Sequence, residues 1–254
     1  MILPQTPSFR LNGRKALVAG ASSGIGLASA AALAEAGAEV TLAARSLGKL
    51  SDAVEAMKAK GWTANAVSMD VSDVEASKAQ ISELGPFDIL VNSAGLARHS
   101  ATTDTTTEDF DAVTDLNIKG AYFLTQAVAK GLIDAGKPGS LINISSQMGH
   151  VGGIDRAVYC ATKHAVEGFT KAMAIEFGPK QIRVNTVCPT FVRTPLTAPT
   201  FDQPDKVKWI TEKIKLGRVA EVEDMMGAVL FLASDASAMV TGTALMIDGG
   251  WTAE

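Results

Sequence analysis

The stretch LVAGASSGIGLA, running from Leu17 to Ala28, decides the fold. A short apolar run ends in Gly20, and Gly24 and Gly26 follow at the head of an Ala-rich segment. Such a stretch reads as a buried strand, a tight turn and the first turn of a helix. Glycine lets the backbone turn and come close to a ligand, and a new helix N-terminus offers unpaired N–H groups to an anion. A pyrophosphate fits that description, which makes Gly20, Ser22, Ser23, Gly24, Ile25 and Gly26 candidate dinucleotide-binding residues. The spacing is GxxxGxG rather than GxGxxG, and so departs from the commonest dinucleotide fingerprint.

Outward from this turn, short β-rich runs alternate with longer Ala-rich ones. Strands are expected at 16–19, 39–43, 64–69, 87–92, 140–145, 183–188 and 244–248, and helices at 24–36, 47–60, 73–84, 107–135, 157–177 and 222–233. The strand runs are mostly apolar, as parallel strands covered on both faces should be. Thr107 followed by Glu108 and Asp109 marks a helix start, and Gly37 and Gly61 fall where helices should stop. The pattern predicts an α/β chain, a Rossmann-like doubly wound parallel sheet of about seven strands with helices on both faces. No linker divides the chain, so residues 1–254 read as a single domain. The irregular stretch 189–205 carries four Pro and reads as a long loop over a site.

Composition narrows the classes. With 23 Lys+Arg against 27 Asp+Glu and no basic block, a nucleic-acid partner is not expected. Cys160 and Cys188 are far apart, and His99, His150 and His164 form no HExxH pattern, so neither a disulfide framework nor a metal site is expected. The uncharged run from Ala16 to Ala34 approaches the length of a membrane span, but its glycines and serines fit the strand–turn–helix reading better. The segment MILPQTPSFR is short and polar for a signal peptide. The expectation is a cytoplasmic protein with a small-molecule substrate.

After the second strand comes Ala43-Ala44-Arg45-Ser46, with an Arg and no acid. A carboxylate there would bond a ribose 2′-hydroxyl, whereas Arg45 suits a 2′-phosphate, so NADP(H) is favoured, with NAD(H) as the alternative. Further on, Ser146 ends a strand, and Tyr159 and Lys163 share one face of a helix four residues apart. A neighbouring ammonium should bring the phenol, normally near pKa ~10, into range for acid/base work. Ser146 would hold the substrate oxygen against the Tyr159 hydroxyl.

In motif order the chain resembles the short-chain dehydrogenase/reductase family from Leu11 to Trp251. The glycine turn is followed by Asp70, by Asn92-Ser93-Ala94-Gly95, by Asn117, and by Ser146, Tyr159 and Lys163. Arg183-Val184-Asn185 with Pro189, and then Asp248-Gly249-Gly250, complete the series. The resemblance implies that Asn117 holds a relay water beside Lys163, and that Lys163 also bonds the nicotinamide ribose. It implies further that Asp70 and Val71 face the adenine, that Asn92, Ala94 and Gly95 line the cleft with Pro189, and that Val192 and Thr194 hold the carboxamide. A homotetramer is also implied. Ala19, Ser93 and Thr190 depart from the usual Thr, Asn and Gly without removing a catalytic group.

The second half is most similar to the L-xylulose reductase (dicarbonyl reductase) branch, through Ser145-Ser146-Gln147, Val158-Tyr159-Cys160 and Pro189-Thr190. That implies carbohydrate metabolism and reduction of a ketose such as L-xylulose, or of an α-dicarbonyl. Ser23 stands where that branch has a Lys, and Arg156 where it has a substrate-side His. Gln147 is a candidate substrate contact or a backbone cap. Phe201 and Trp209 are read as caps over the substrate, His150 as a solvated loop residue and Cys188 as packing. The alternatives are an NAD-dependent polyol or sugar-acid dehydrogenase, a 3-oxoacyl-carrier-protein reductase, or a retired cofactor-binding scaffold. No run of Lys or Arg suggests a carrier-protein dock, and the complete Ser-Tyr-Lys-Asn set argues against retirement.

Overall fold

The computed structural model describes residues 1–253. Seven parallel strands form one sheet in the order β3-β2-β1-β4-β5-β6-β7. They are β1 Lys15–Ala19, β2 Glu39–Ala44, β3 Ala64–Ser68, β4 Ile89–Asn92, β5 Gly139–Ile144, β6 Ile182–Pro189 and β7 Ala244–Ile247. Their period-2 alternation splits the core in two. In β1, Ala16 and Val18 face one layer while Leu17 and Ala19 face the other. On the first side lie α1 (Gly24–Glu35), α2 (Leu47–Ala59) and α9 (Glu223–Ala233), which bring in Leu33, Leu50 and Val229. On the second lie α3 (Val74–Leu84), α5 (Ala121–Asp134) and α6 (Ala157–Phe177), with Ile81, Leu132 and Met173.

The expected elements are present with two differences. The single helix expected at 107–135 is α4 (Thr107–Thr114) and α5 joined by a π-helical turn, Asp115–Gly120. Its cap is Thr106, one residue earlier than expected, whose hydroxyl accepts from Asp109 N at 3.1 Å. The stretch expected to be an irregular loop holds α7 (Ala198–Phe201), and α8 (Pro204–Lys213) begins within it. α7 is a single turn and α8 has only a narrow apolar stripe, Val207 and Ile210 leading to Ile214, so neither stood out against four prolines, and both use Pro in their first turn, where its missing N–H costs nothing.

After β1 the chain builds outward to β2 and β3, then returns to add β4 on the other side. The reversal opens a crevice at the C-terminal ends of β1 and β4, the place where sheets of this kind take ligands. No helix is long and apolar enough to cross a membrane among the described residues.

Candidate active site

A cleft of about 900 Å³ fills that crevice. Its floor is the glycine turn. Gly20 has φ +74°, and a Cβ on it would lie 2.7 Å from the Ser93 carbonyl and Ala94 N, so only glycine lets the two strand ends close up. Gly26 is packed against the Gly20 carbonyl in the same way. Ser23 is the N-cap of α1 but makes no capping hydrogen bond, which leaves its hydroxyl and the helix N-terminus available to an anion. Ser22, Gly24 and Ile25 also line the cleft. Arg45 lines its far end, joined by Lys49 in the first turn of α2. Neither cation forms an ion pair among the described residues. Asp70 and Val71 line the same end, and hydrogen bonds from Ser72 hold the Asp70 carboxyl below its usual range. A glycine-lined pyrophosphate cradle with two cations beyond it, neither tied up in an ion pair, fits a 2′-phosphorylated dinucleotide.

At the other end, Ser146, Tyr159 and Lys163 line the cleft together with Pro189, Val192 and Thr194. Lys163 Nζ lies 5.6 Å from the centre of the Tyr159 ring and donates to the Ile144 carbonyl at 2.9 Å. Burial lowers Lys163 to about 8. Burial also raises the Tyr159 phenol, against the opposing effect of its hydrogen bond with Ser146. This corrects the expectation that the lysine charge brings the phenol down: desolvation is the larger effect, because protein walls crowd both groups at the inner end of the cleft. Ala94 and Gly95 line the cleft between the two ends.

Four of the residues expected at the site lie behind this lining. Gly26 supports the turn, and Asn92 is buried, donating to Asn143 Oδ1 at 3.3 Å and accepting from Ala94 N. Asn117 sits in the π-helical turn. Its side chain exchanges two 2.8 Å hydrogen bonds with the Leu96 backbone and donates to Thr162 Oγ1 at 3.2 Å, which fastens the loop after β4 to α6. Gln147, expected against the substrate, is 1% exposed in the turn after Ser146 and does not line the cleft. Phe201 and Trp209 are not lining residues either. Trp209 packs on Trp251 with 5.4 Å between ring centres, and Phe201 joins the Ile210–Ile214 cluster, so both fasten α7 and α8 to the body. Sequence reasoning missed Lys49, whose signal was its place one turn past Arg45, and Leu96, which nothing in a single sequence distinguishes.

A family model described as enoyl-(acyl carrier protein) reductase matches residues 20–252. L-xylulose reductase from Bos taurus is 41% identical over 245 residues, which cover 96% of this chain and 99% of that protein. The chain belongs to the short-chain dehydrogenase/reductase family. Among other members, gluconate 5-dehydrogenase from Gluconobacter oxydans is 36% identical, with 96% of each chain covered. The crystal structure of a gluconate 5-dehydrogenase from Burkholderia cenocepacia, in complex with NADP and tartrate, superimposes with a TM-score of 0.93. It is 35% identical and covers 97% of this chain and 98% of that one. The Tyr159–Lys163 pair and the glycine turn therefore stand in a family of oxidoreductases.

Proposed function

We propose that the chain transfers hydride between NADP(H) and a small polar ketone or secondary alcohol, reducing a ketose such as L-xylulose or an α-dicarbonyl. One observation carries this reading: Ser146, Tyr159 and Lys163 open onto the same cleft as the glycine turn. NADPH, when bound, supplies the hydride, and the chain handles the oxygen and the proton. Arg45 and Lys49 hold the 2′-phosphate, the turn from Gly20 to Gly26 holds the pyrophosphate, and Asp70 and Val71 flank the adenine. Val192 and Thr194 hold the carboxamide end. Ser146 Oγ donates to the substrate oxygen and keeps it beside Tyr159, whose hydroxyl gives up its proton in reduction and takes one back in oxidation. The Lys163 ammonium holds the nicotinamide ribose and stabilises the phenolate left behind. The Asn117 side chain is fully engaged, so holding a relay water falls to its main chain, in a π-helical turn of the kind that often marks functional sites.

Arg156 favours a second reading, oxidation of a sugar acid. It is half-buried three residues before Tyr159, lies 5.4 Å from the centre of the Phe191 ring, and forms no ion pair among the described residues. His99, edge-on to Tyr159 at 5.8 Å, is held down to about 4 by burial and by the Arg156 charge, so a neutral imidazole stands there. A guanidinium beside the acid/base is suited to a substrate carboxylate.

The chain acts as one domain, as a homotetramer and in the cytoplasm on this reading. The deciding assay follows NADPH consumption with L-xylulose and diacetyl, and NADP⁺ reduction with gluconate, with the NAD(H) forms in parallel. Turnover of the neutral ketones supports the first reading. Turnover of gluconate alone, lost in Arg156→Gln, supports the second. Cofactor binding without any turnover overturns both.

A further inference from the structure

Behind the wall of the cleft, three side chains from three different elements converge. Cys188 Sγ, near the end of β6, lies 3.3 Å from Glu167 Oε1 on α6 and 3.5 Å from His150 Nε2 in the turn after β5. The His150 Nε2 to Glu167 Oε1 distance closes the triangle at 3.8 Å. Glu167 is 5% exposed and Cys188 fully buried, while the His150 edge reaches solvent.

We propose that His150, Glu167 and Cys188 form a binding site for a zinc ion. Zn–S bonds of about 2.3 Å and Zn–N or Zn–O bonds of about 2.0–2.1 Å, at tetrahedral angles, place donor atoms about 3.3–3.6 Å from one another. The Sγ–Nε2 separation matches its edge, Sγ–Oε1 is a few tenths of an ångström short, and Nε2–Oε1 is about 0.5 Å long, a gap that a small rotation of the surface His150 ring closes. One thiolate, one imidazole and one carboxylate suit zinc, and do not suit the oxygen-seeking magnesium or calcium ions. The groups around the donors also fit. Thr186 Oγ1 donates to Glu167 Oε2 at 3.0 Å and orients the carboxylate, as outer partners of metal ligands do. Ser145, buried beside Cys188, has a hydroxyl with no well-formed hydrogen bond, which a zinc-bound water in the fourth position could use. Gly149 leaves the necessary room: a Cβ there would lie 3.1 Å from both Glu167 Cγ and Ser145 Oγ.

Zinc bonds to Cys188 as the thiol proton leaves to solvent past His150, with no change of oxidation state. The ion would tie together the three elements that carry the candidate chemistry: the turn holding Ser146, the helix holding Tyr159 and Lys163, and the strand ending at Pro189. Its role is that of a clamp, outside the hydride-transfer cleft, so the site stands whether or not the proposed activity does.

The test uses the full chain, reduced and stripped of metal, titrated with zinc and separately with cobalt(II). Expected are one zinc retained per chain after gel filtration, a melting midpoint that rises with zinc, and a thiolate-to-cobalt charge-transfer band. Cys188→Ala should lose the band and the midpoint shift, and His150→Ala should weaken zinc binding at least tenfold. Cys160→Ala should change none of these. His150 is at the surface, so His150→Ala folds and decides the matter even where Cys188→Ala does not. Absence of stoichiometric metal, or equal binding by wild type and His150→Ala, overturns the site.

Discussion

Lys163 is a charge held where water cannot reach it well. Burial lowers it from 10.5 to about 8, so the unfolded chain keeps this proton to higher pH than the folded one does. The cost to folding is present in full below pH 8 and fades as pH rises toward 10.5. A shift of that size corresponds to about 3 kcal/mol, from which the hydrogen bond to the Ile144 carbonyl recovers about 1 kcal/mol. Lys163→Met should therefore be more stable than wild type by about 1–2 kcal/mol in urea unfolding at pH 7, and the difference should shrink as pH rises and reverse before pH 10.5, where only the hydrogen bond to Ile144 remains. A folded variant that is less stable at pH 7 would show that the lysine is a structural anchor. Tyr159 makes the complementary case. Tyr159→Phe keeps the ring against His99 but has no proton to give, so turnover should fall about 10²–10⁴-fold while cofactor titration is unchanged. The residues of this pair were legible from their spacing. Their protonation was not, because desolvation depends on the walls the rest of the chain builds around them.

At the scale of the element, the segment from β2 into α2 sets cofactor choice. Arg45 and Lys49 face one cleft end without forming an ion pair, although the Asp70 carboxyl shares that end, so each should contribute to a 2′-phosphate and nothing to a 2′-hydroxyl. Lys49→Ala should weaken NADPH binding roughly tenfold and leave NADH binding unchanged, as read by fluorescence titration of both cofactors. Equal losses for the two would place Lys49 on the pyrophosphate instead. The end of α9 illustrates a support that no local pattern reveals. Arg183 on β6 donates to the Leu232 carbonyl at 2.8 Å and the Ser234 carbonyl at 3.2 Å, and Ser140 Oγ reaches the Leu232 carbonyl at 2.7 Å. These bonds satisfy carbonyls that a helix end leaves unpaired. Arg183→Met should cost about 1.5–3 kcal/mol in chemical unfolding with little effect on cofactor affinity. The break between α4 and α5 was likewise hidden. The helical pattern runs straight through residues 107–135, and the π-helical turn is where the Asn117 side chain binds both Leu96 and Thr162.

Across the whole molecule, surface apolar residues on neighbouring helices mark where copies could meet. Phe110 and Tyr122 on α4 and α5, with Ile175 on α6, are exposed. Sedimentation should give four times the chain mass of 26.4 kDa, and Tyr122→Glu should shift it toward smaller species. A monomer at all concentrations would contradict the tetramer. The fold was legible because its signals are local. Apolar strand runs, glycine turns and helix stops need only a few neighbouring residues, and their alternation leaves few topologies once crossovers must be right-handed. Gln147, Phe201 and Trp209 show the limit, since each was placed by residue type and proximity to a motif, while packing buries Gln147 away from the cleft and turns Phe201 and Trp209 onto the Ile210–Ile214 cluster and Trp251. His150, Glu167 and Cys188 show it more sharply, since no spacing rule links them. By itself the sequence determined the order of the seven strands, the glycine turn and the Tyr–Lys face, all of which depend on backbone geometry over a few residues. The tertiary structure alone decided which side chains share a wall, which charges lose their water and which donors meet. Those outcomes depend on distances between segments that only the packed sheet brings together.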